Sequence, residues 1–363
     1  MQIRPLLKKL TFATATTAAL LILVELGFRG FIGLFSQPWV DAVDNYRTEW
    51  MPEMQPSMVF RPHPYVTYVN SSAAGQEGVN DDGFYGPEIK REKKHRQFRI
   101  ACMGGSTTAG PRSWPFQLEQ LLQRSGGSWR YQVINYGVGG WTSAESMINF
   151  VHHGQSYTPD LVIIHHTVND LPPIQRDDYR PDYLHYRVPM DVTEDEQGQT
   201  QVRNNLEWGF DTALGRVSSL YVAARLLLVG NTRTVYRLDN VTTTQGPYNP
   251  DPPEENADGY RRNLKTIALV AESIGAETVL TTIPYDRTPG GDANWKLGMS
   301  RQDARVKALA EETGLPFVDL SAMMADGEGF AYQDPVHVDE AGDVLKAQLL
   351  YTTLREQGVL PSD

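Results

Sequence analysis

Three residues in this sequence have the types and spacing that nucleophilic catalysis by a serine requires. Ser106 completes a Gly-Gly-Ser turn, and Asp334 lies three residues before His337. A serine hydroxyl becomes a nucleophile when an imidazole removes its proton and a carboxylate orients that imidazole. The short spacing of Asp334 and His337 allows one loop to carry both groups. We therefore predict that Ser106 is a nucleophile, His337 its base and Asp334 the orienting acid.

Two further residues supply the hydrogen-bond donors that such chemistry needs. Gly140 ends the loop 135–140, and Asn169 lies in the Thr-Val-Asn-Asp segment 167–170. The tetrahedral intermediate of acyl transfer carries negative charge on oxygen, which preorganised N–H groups stabilise. We predict an oxyanion hole built from the backbone N–H groups of Ser106 and Gly140 and the side-chain amide of Asn169. The alternatives are a simple loop glycine at 140 and a turn-forming asparagine at 169.

A Gly-Gly-Ser turn is, by itself, also typical of structural turns and of phosphate-binding loops. The P-loop kind of phosphate site requires a lysine, and residues 106–109 contain none. Each motif is therefore weak alone, and the order of all four along the chain favours acyl transfer.

Short apolar runs predict the strands that position these residues. Runs without alternation are typical of parallel strands that are covered on both faces. Ser106, Gly140 and Asn169 each follow one of the first three runs, so a parallel sheet would bring them to one edge. The predicted strands are 98–103, 133–135, 161–165, 278–283 and 316–320.

Helical patterns separate the predicted strands. Thr142 and Glu145 have the spacing of a capping box, and Ser113 can cap a helix that has Pro115 in its first turn. Asp339 can cap the last helix, directly after the predicted base. This alternation of strands and helices predicts a three-layer α/β/α domain with a parallel sheet.

Composition argues against one class of partner. The chain of 363 residues has 33 basic and 44 acidic residues, which gives a net charge of −11. A general nucleic-acid binder has a basic surface, so we expect no nucleic-acid partner. Cys102 is the single cysteine, which excludes an intrachain disulfide.

The N-terminus predicts a membrane anchor. Arg4, Lys8 and Lys9 precede an uncharged run at 10–24, and apolar residues continue over 26–35. Together the two runs exceed the roughly 20 residues that a membrane span needs. This requires that the charges of Glu25 and Arg29, which are four residues apart, pair on one face of the helix. The basic flank places the N-terminus in the cytoplasm and the rest of the chain outside it. A cleaved signal peptide and a buried helix of a soluble protein are the alternatives.

The stretch from about 171 to 255 interrupts the strand–helix alternation. It is far longer than an ordinary connecting loop, and an insertion after the third strand lies at the mouth of such a sheet. A lid or substrate platform and structural decoration are equally compatible with it. Its apolar helical piece carries Arg225 and is too short to cross a membrane.

The four motifs together resemble the SGNH (GDSL-type) hydrolase family. That family has a Gly-Asp-Ser turn, a loop glycine, a Gly-x-Asn-Asp segment and a C-terminal Asp-x-x-His. The resemblance covers residue 98 to the end without the insertion, and the lead-in 80–88 is similar to that of membrane-anchored bacterial members. This sequence departs from the pattern at Gly105, where the family has Asp, and at Thr167, where it has Gly.

The resemblance implies a fold, a site and a domain organisation. The fold would be the SGNH hydrolase fold with a five-stranded, flavodoxin-like parallel sheet, preceded by a transmembrane helix. The expected domains are an anchor at 1–36, a linker and lead-in at 37–96 and a hydrolase domain at 97–363. The implied catalytic residues are Ser106, Asp334 and His337, and the implied oxyanion donors are Ser106, Gly140 and Asn169.

The resemblance also implies an activity. We expect a serine ester hydrolase that acts outside the cytoplasm on small-molecule or carbohydrate esters, including carbohydrate O-acyl groups. A transferase that moves the acyl group to a glycan hydroxyl with the same triad is one alternative. A non-catalytic envelope protein that binds polysaccharide is another. The sequence indicates no oligomeric state.

We expect neither a metal nor a cofactor. His152-His153 and His165-His166 look like paired metal ligands, but adjacent side chains on a helix or strand point apart. His165 and His166 end the third predicted strand, so one of them could approach the site.

Overall fold

The computed structural model describes residues 3–50, 60–63, 65–70, 72, 78–183, 185–186, 190–194, 200–204, 214–215, 217–229, 248–288 and 292–362. These residues belong to two compact units. One unit comprises Met1–Met58 and Pro189–Val241, and the other comprises Val59–Val188 and Thr242–Asp363. The second unit contains the main sheet.

The helices and strands are numbered in chain order. The strands are β1 (Phe60–His63), β2 (Thr67–Asn70), β3 (Gln97–Gly104), β4 (Arg130–Asn135), β5 (Leu161–His165), β6 (Met190–Glu194), β7 (Thr200–Asn204), β8 (Glu277–Thr281) and β9 (Phe317–Val318). The helices are α1 (Ile3–Phe35), α2 (Gln37–Trp50), α3 (Trp114–Arg124), α4 (Ser143–His152), α5 (Leu171–Ile174), α6 (Ser219–Val229), α7 (Asp258–Ser273), α8 (Ala293–Thr313), α9 (Leu320–Met323) and α10 (Glu340–Glu356).

The main sheet has five parallel strands in the spatial order β4-β3-β5-β8-β9. Counted along the chain, this is the order 2-1-3-4-5 of flavodoxin-like sheets. In β3, Cys102 pairs with Asn135 of β4 on one side and with Ile163 of β5 on the other. The predicted fold class is confirmed, although the last two strands end earlier than predicted, at Thr281 and Val318.

Helices cover both faces of this sheet. In β3, Ala101 and Met103 pack into one core with α4, α7 and α8, whereas Ile100 and Cys102 pack into another with α3 and α10. Successive side chains of a strand point to opposite faces, so a strand between two helix layers is apolar throughout. The result is the predicted three-layer α/β/α arrangement.

Local signals position the helices that follow the strands. Thr142 and Glu145 form the predicted capping box of α4, and the Asp339 carboxylate accepts the N–H of Gly342 at the start of α10. Ser113 precedes α3 as predicted, but its hydroxyl does not cap the helix. It donates instead to the carbonyls of Thr108 and Gly110, at 2.7 and 2.9 Å, because the preceding loop folds back over it.

The described residues between Val59 and β3 belong to the same unit as the main sheet. β1 and β2 form an antiparallel hairpin, and the Tyr85 N–H donates to the carbonyl of Asn135 at the end of β4. The Asn70 side chain donates to the carbonyls of Gly83 and Gly137, both at 3.0 Å. The hairpin is therefore attached to the loop that follows β4.

The other unit contains α1, α2, α6 and the antiparallel pair β6–β7. Ile32, Val43 and Val222 form a small buried core between its three helices. Among the described residues, one helix is long and apolar enough to span a membrane, over Phe12–Phe35. The predicted pair within it forms, since Arg29 Nε donates to Glu25 at 2.7 Å.

Candidate active site

Ser106 lies in a tight turn directly after β3. A Cβ at Gly104 would lie 2.0 Å from the Thr108 hydroxyl oxygen and 2.9 Å from the carbonyl oxygen of His165. The chain can take this course only because residue 104 has no side chain. The turn presents Ser106, which is partly exposed, at the carboxyl edge of the sheet.

The structure brings Ser106, His337 and Asp334 together. Nε2 of His337 lies 2.7 Å from Oγ of Ser106, and Nδ1 of His337 lies 2.5 Å from Oδ2 of Asp334. The three side chains therefore form one continuous line of hydrogen bonds, with one imidazole nitrogen on each neighbour. This is the geometry that a serine nucleophile and its base require.

A single turn holds both members of the Asp-x-x-His pair. Oδ1 of Asp334 accepts the backbone N–H groups of Val336 and His337 at 2.9 and 2.8 Å, which leaves Oδ2 for the imidazole. Partial burial acts to raise the pKa of Asp334, but these two N–H groups and the imidazole outweigh it and lower that pKa below its ordinary value. The carboxylate therefore stays ionised beside His337.

The Asn169 side chain lies directly against the turn that carries Ser106. Its Nδ2 donates to the carbonyl of Trp141 at 2.8 Å. A Cβ at Gly105 would lie 2.3 Å from this Nδ2 and 3.2 Å from the Trp141 carbonyl oxygen. The family pattern has Asp at position 105. Because Gly105 has no side chain, the Asn169 amide has room to lie at this position in the structure.

Gly140 lies in the loop that passes over this turn. Its φ of +74° is in the left-handed region, which favours glycine. The preceding carbonyl, that of Gly139, accepts the hydroxyl of Tyr68 at 2.8 Å. The carbonyl of Gly139 and the N–H of Gly140 belong to the same planar, trans peptide unit and point in opposite directions. A bond that fixes the carbonyl therefore also fixes the direction of the N–H. Tyr68 therefore orients one of the predicted oxyanion donors.

Tyr68 is a site residue that the sequence did not indicate. Its own carbonyl accepts Nε1 of Trp141 at 3.0 Å, so β2 holds the loop after β4 at two points. Tyr68 and Trp141 are far apart in the sequence, and no motif contains both. Trp141 itself is buried, and its carbonyl positions Asn169.

Tyr68→Phe is expected to lower kcat about fivefold with little change in KM. A net hydrogen bond contributes about 1 kcal/mol, and this amount in the transition state corresponds to roughly fivefold in rate. Initial rates on an ester substrate would measure the effect. Tyr65→Phe, at an exposed tyrosine just before β2, is the matched control and should keep the wild-type rate. Equal rates for both variants would exclude the orienting role of Tyr68.

Asp170, beside Asn169, is fully buried and heavily hydrogen-bonded. It accepts the Ser143 hydroxyl at 2.6 Å, the Ser143 N–H at 2.9 Å and the Tyr183 hydroxyl at 2.9 Å. These bonds attach the segment after β5 to the start of α4 and hold the backbone that carries Asn169. Burial raises the pKa of Asp170 to about 7, although the bonds from Ser143 and Tyr183 act to lower it.

The raised pKa of Asp170 predicts a pH-dependent stability. Because the folded pKa of about 7 exceeds the ordinary value of 3.8, the carboxyl favours folding below pH 4 and loses that contribution as the pH rises through 7. Relative to Asp170→Asn, which has no charge to titrate, the wild type should lose about 1.4 kcal/mol per pH unit across this window. Urea unfolding of both full-length proteins in detergent at several pH values would measure this. A difference that is constant with pH would contradict the assignment.

The paired histidines at the end of β5 do not join the triad. Nδ1 of His165 lies 2.7 Å from the Thr281 hydroxyl, and Nε2 of His166 lies 2.8 Å from the Ser146 hydroxyl. Both rings are buried, which lowers the pKa of His166 to about 3 and that of His165 well below its ordinary range. Neutral rings in these positions are part of the core. In the part of the chain that the structure describes, no group of three or more His, Cys, Asp or Glu side chains is arranged to hold a metal ion.

Solved structures of other proteins are similar to this chain. A solved structure of a catalytic mutant of an acetylxylan esterase from Geobacillus stearothermophilus is similar to this chain at 17% identity, over 73% of this chain and 97% of that one, with a TM-score of 0.43. A GDSL-like lipase from Bacteroides thetaiotaomicron is similar at 18% identity, over 72% and 89%, with a TM-score of 0.39.

No curated protein matches the sequence. The model of the GDSL-like Lipase/Acylhydrolase family matches residues 102–345, which is more than half of the 363 residues and includes every predicted site residue. The chain therefore belongs to the GDSL-like lipase/acylhydrolase family.

Proposed function

We propose that this protein is a serine ester hydrolase that works through an acyl-enzyme. The observation that carries the proposal is the unbroken line from Oγ of Ser106 through His337 to Asp334, with contacts of 2.7 and 2.5 Å. Membership of an acylhydrolase family supports the same reaction.

The mechanism follows from the roles of these groups. Nε2 of His337 takes the proton of Ser106 while Oγ attacks the ester carbonyl, and the tetrahedral intermediate forms. The imidazolium then gives its proton to the departing alkoxide, which leaves as the alcohol. Water, deprotonated by His337, attacks the acyl-enzyme, and the imidazolium then returns a proton to Oγ of Ser106 as the acid departs. Asp334 stabilises the imidazolium in both halves of the reaction.

Three donors would stabilise the oxyanion of each tetrahedral intermediate. They are the N–H groups of Ser106 and Gly140 and the amide of Asn169. An amide nitrogen has two hydrogens, so the bond from Asn169 to Trp141 at 2.8 Å leaves the second hydrogen for the substrate. The contact between this amide and Gly105 supports its assignment to the site.

The exposure of the triad supports a substrate class. The side chains of His337 and Asp334 are 32% and 46% exposed, so the described residues do not enclose the reacting atoms. An open site suits an ester that projects from a larger molecule. We therefore propose O-acyl groups on carbohydrates as the substrates, with other small esters as the wider class.

The N-terminal helix supports a proposal about the location of the protein. The apolar stretch Phe12–Phe35 is long enough to span a bilayer, and Lys8 and Lys9 precede it. Lys and Arg residues that flank a membrane-spanning helix mark its cytoplasmic side. We propose that this helix is an uncleaved anchor and that the sheet-bearing unit acts outside the cytoplasm.

A fluorophosphonate probe tests the enzyme assignment. Such probes phosphonylate an activated serine, so the full-length protein should be labelled and Ser106→Ala should not be. Absence of labelling, under conditions that label a control esterase, would overturn the proposal in favour of a non-catalytic binding protein. Acyl-ester assays with and without an acceptor sugar would then separate hydrolysis from acyl transfer. Free acid should form at the same rate in both, whereas acylated sugar would identify a transferase.

A further inference from the structure

The helix α6 (Ser219–Val229) of the insertion has two apolar faces. One face packs inside its unit, where Val222 is buried beside Ile32 and Val43, and the neighbouring Ala223 is also buried. The other face contains Leu220, Ala224, Leu227 and Leu228 at helical spacing. On that face Leu227 is 71% exposed and Leu228 is 85% exposed.

The polar residues of α6, Ser219, Tyr221 and Arg225, are buried or partly buried. The exposed part of the helix is therefore apolar, and an exposed apolar patch marks a contact with protein or lipid. The described residues do not cover the face with Leu227 and Leu228. The same unit contains the long apolar surface of α1, whose leucines at 20, 21, 23 and 26 are also exposed. The unit therefore has two exposed apolar surfaces, and the surface on α1 is long enough to cross a bilayer. Lipid acyl chains can cover both surfaces.

Glu25 of α1 links the two helices directly. Its carboxylate accepts the Ser218 hydroxyl at 2.7 Å and the backbone N–H groups of Ser219 and Leu220 at 2.5 and 3.1 Å. Arg29 donates to the same carboxylate at 2.7 Å and also to the carbonyl of Val217. A carboxylate of the apolar stretch thus caps the first turn of α6, whose N–H groups have no partner within the helix.

This contact explains how a charged pair is accommodated in an apolar helix. An ionisable group inside a bilayer is costly unless it is paired and hydrogen-bonded. If the hydrocarbon region begins after Lys9, about 20 residues of helix cross it and end near Arg29. At 1.5 Å per residue, Glu25 then lies roughly 6 Å inside the outer boundary, and it holds the start of α6 at that depth.

We propose that α6 is a second membrane-embedded element, held against the anchor by Glu25, with Leu227 and Leu228 in contact with lipid acyl chains. The proposal rests on the proposed anchor role of α1. It assigns a lipid-binding surface to part of the insertion, for which the sequence left a lid, a platform or structural decoration open.

Lipid quenching of a single fluorophore tests the proposal. Cys102 is fully buried, so a new exposed cysteine can be labelled selectively with an NBD maleimide. Leu228→Cys tests α6, Ile22→Cys reports on the anchor, and Leu269→Cys, on an exposed site of α7, is the reference. Each full-length variant is reconstituted in phosphatidylcholine vesicles and quenched with nitroxide-labelled lipids or with aqueous iodide.

Probes at 22 and 228 should be quenched by the nitroxide lipids and protected from iodide, and the probe at 269 should show the reverse. Lipid quenching at 22 combined with iodide quenching at 228 would overturn the inference and leave the anchor intact. Absence of lipid quenching at 22 would overturn both, whereas fluorophosphonate labelling would still test the esterase independently.

The role of Glu25 is tested in the same assay. Glu25→Ala in the Leu228→Cys protein should at least halve the lipid quenching at 228, because the first turn of α6 loses its acceptor. Glu25→Gln retains an oxygen acceptor and should preserve more of the quenching. Equal lipid quenching with and without Glu25 would show that the carboxylate does not hold α6 in the membrane.

Discussion

Ser106→Ala is expected to lower kcat by about 10⁴- to 10⁶-fold, the range that loss of a triad member causes in a serine hydrolase. The reason is geometric. Oγ of Ser106 is the atom that Nε2 of His337 meets at 2.7 Å, and alanine offers no atom there to form the acyl-enzyme. Single-turnover assays with a chromogenic ester would measure the acylation step.

A control variant and a double variant test whether the loss is specific to the triad. Ser125→Ala, at an exposed serine after α3, should keep the wild-type rate. His337→Ala should lose about as much as Ser106→Ala, and the double variant should lose little more, because members of a triad act as one unit. Losses that multiply in the double variant, or a Ser106→Ala rate within tenfold of wild type, would contradict the assignment.

Gly105→Ala is expected to lower kcat by about 10²- to 10³-fold, the effect of removing one oxyanion donor. The added Cβ would lie 2.3 Å from Nδ2 of Asn169, a distance that real contacts do not allow. The amide must move, and with it the bond to the carbonyl of Trp141. Asn169→Ala removes the same donor directly and should produce a loss of similar size.

A double-mutant cycle separates this mechanism from general disruption of the turn. If alanine at 105 acts through the amide, Gly105→Ala should cost less than about threefold in a protein that already carries Asn169→Ala. If the two losses multiply, the substitution damages the turn by another route. Fluorophosphonate labelling should remain measurable in both single variants, because Ser106 and its base are intact.

The five strands of the main sheet and the site residues that follow them were predictable, because both are indicated by local sequence patterns. Unalternating apolar runs predicted all five strands of the main sheet, and the residues that follow them were predicted at one edge. The Thr142–Glu145 capping box also formed as predicted, since the residues that make it are neighbours. Ser113 shows the limit of such local signals, because its hydroxyl bonds the carbonyls of Thr108 and Gly110 instead of capping α3.

The contacts that Tyr68 and Glu25 make with distant segments were not predictable, because neither residue belongs to a motif. Tyr68 meets the carbonyl of Gly139 across 71 positions, and Glu25 caps a helix that begins 194 positions later. A hydroxyl or carboxylate has no local pattern that identifies such a partner. Tertiary packing selects the hydrogen-bond partner, because it decides which carbonyl or N–H group lies within bonding distance.

By itself, therefore, the sequence determined the family, the parallel α/β/α fold and the residue types available for acyl transfer. These depend on residue type, periodicity and short spacing, and spacings of a few residues are set by the covalent chain. Only the tertiary structure placed Nε2 of His337 beside Ser106, Asn169 against Gly105 and the hydroxyl of Tyr68 on the peptide of Gly140. Those distances arise when separate strand ends meet at the edge of a closed core, and their values depend on the packing of the whole sheet.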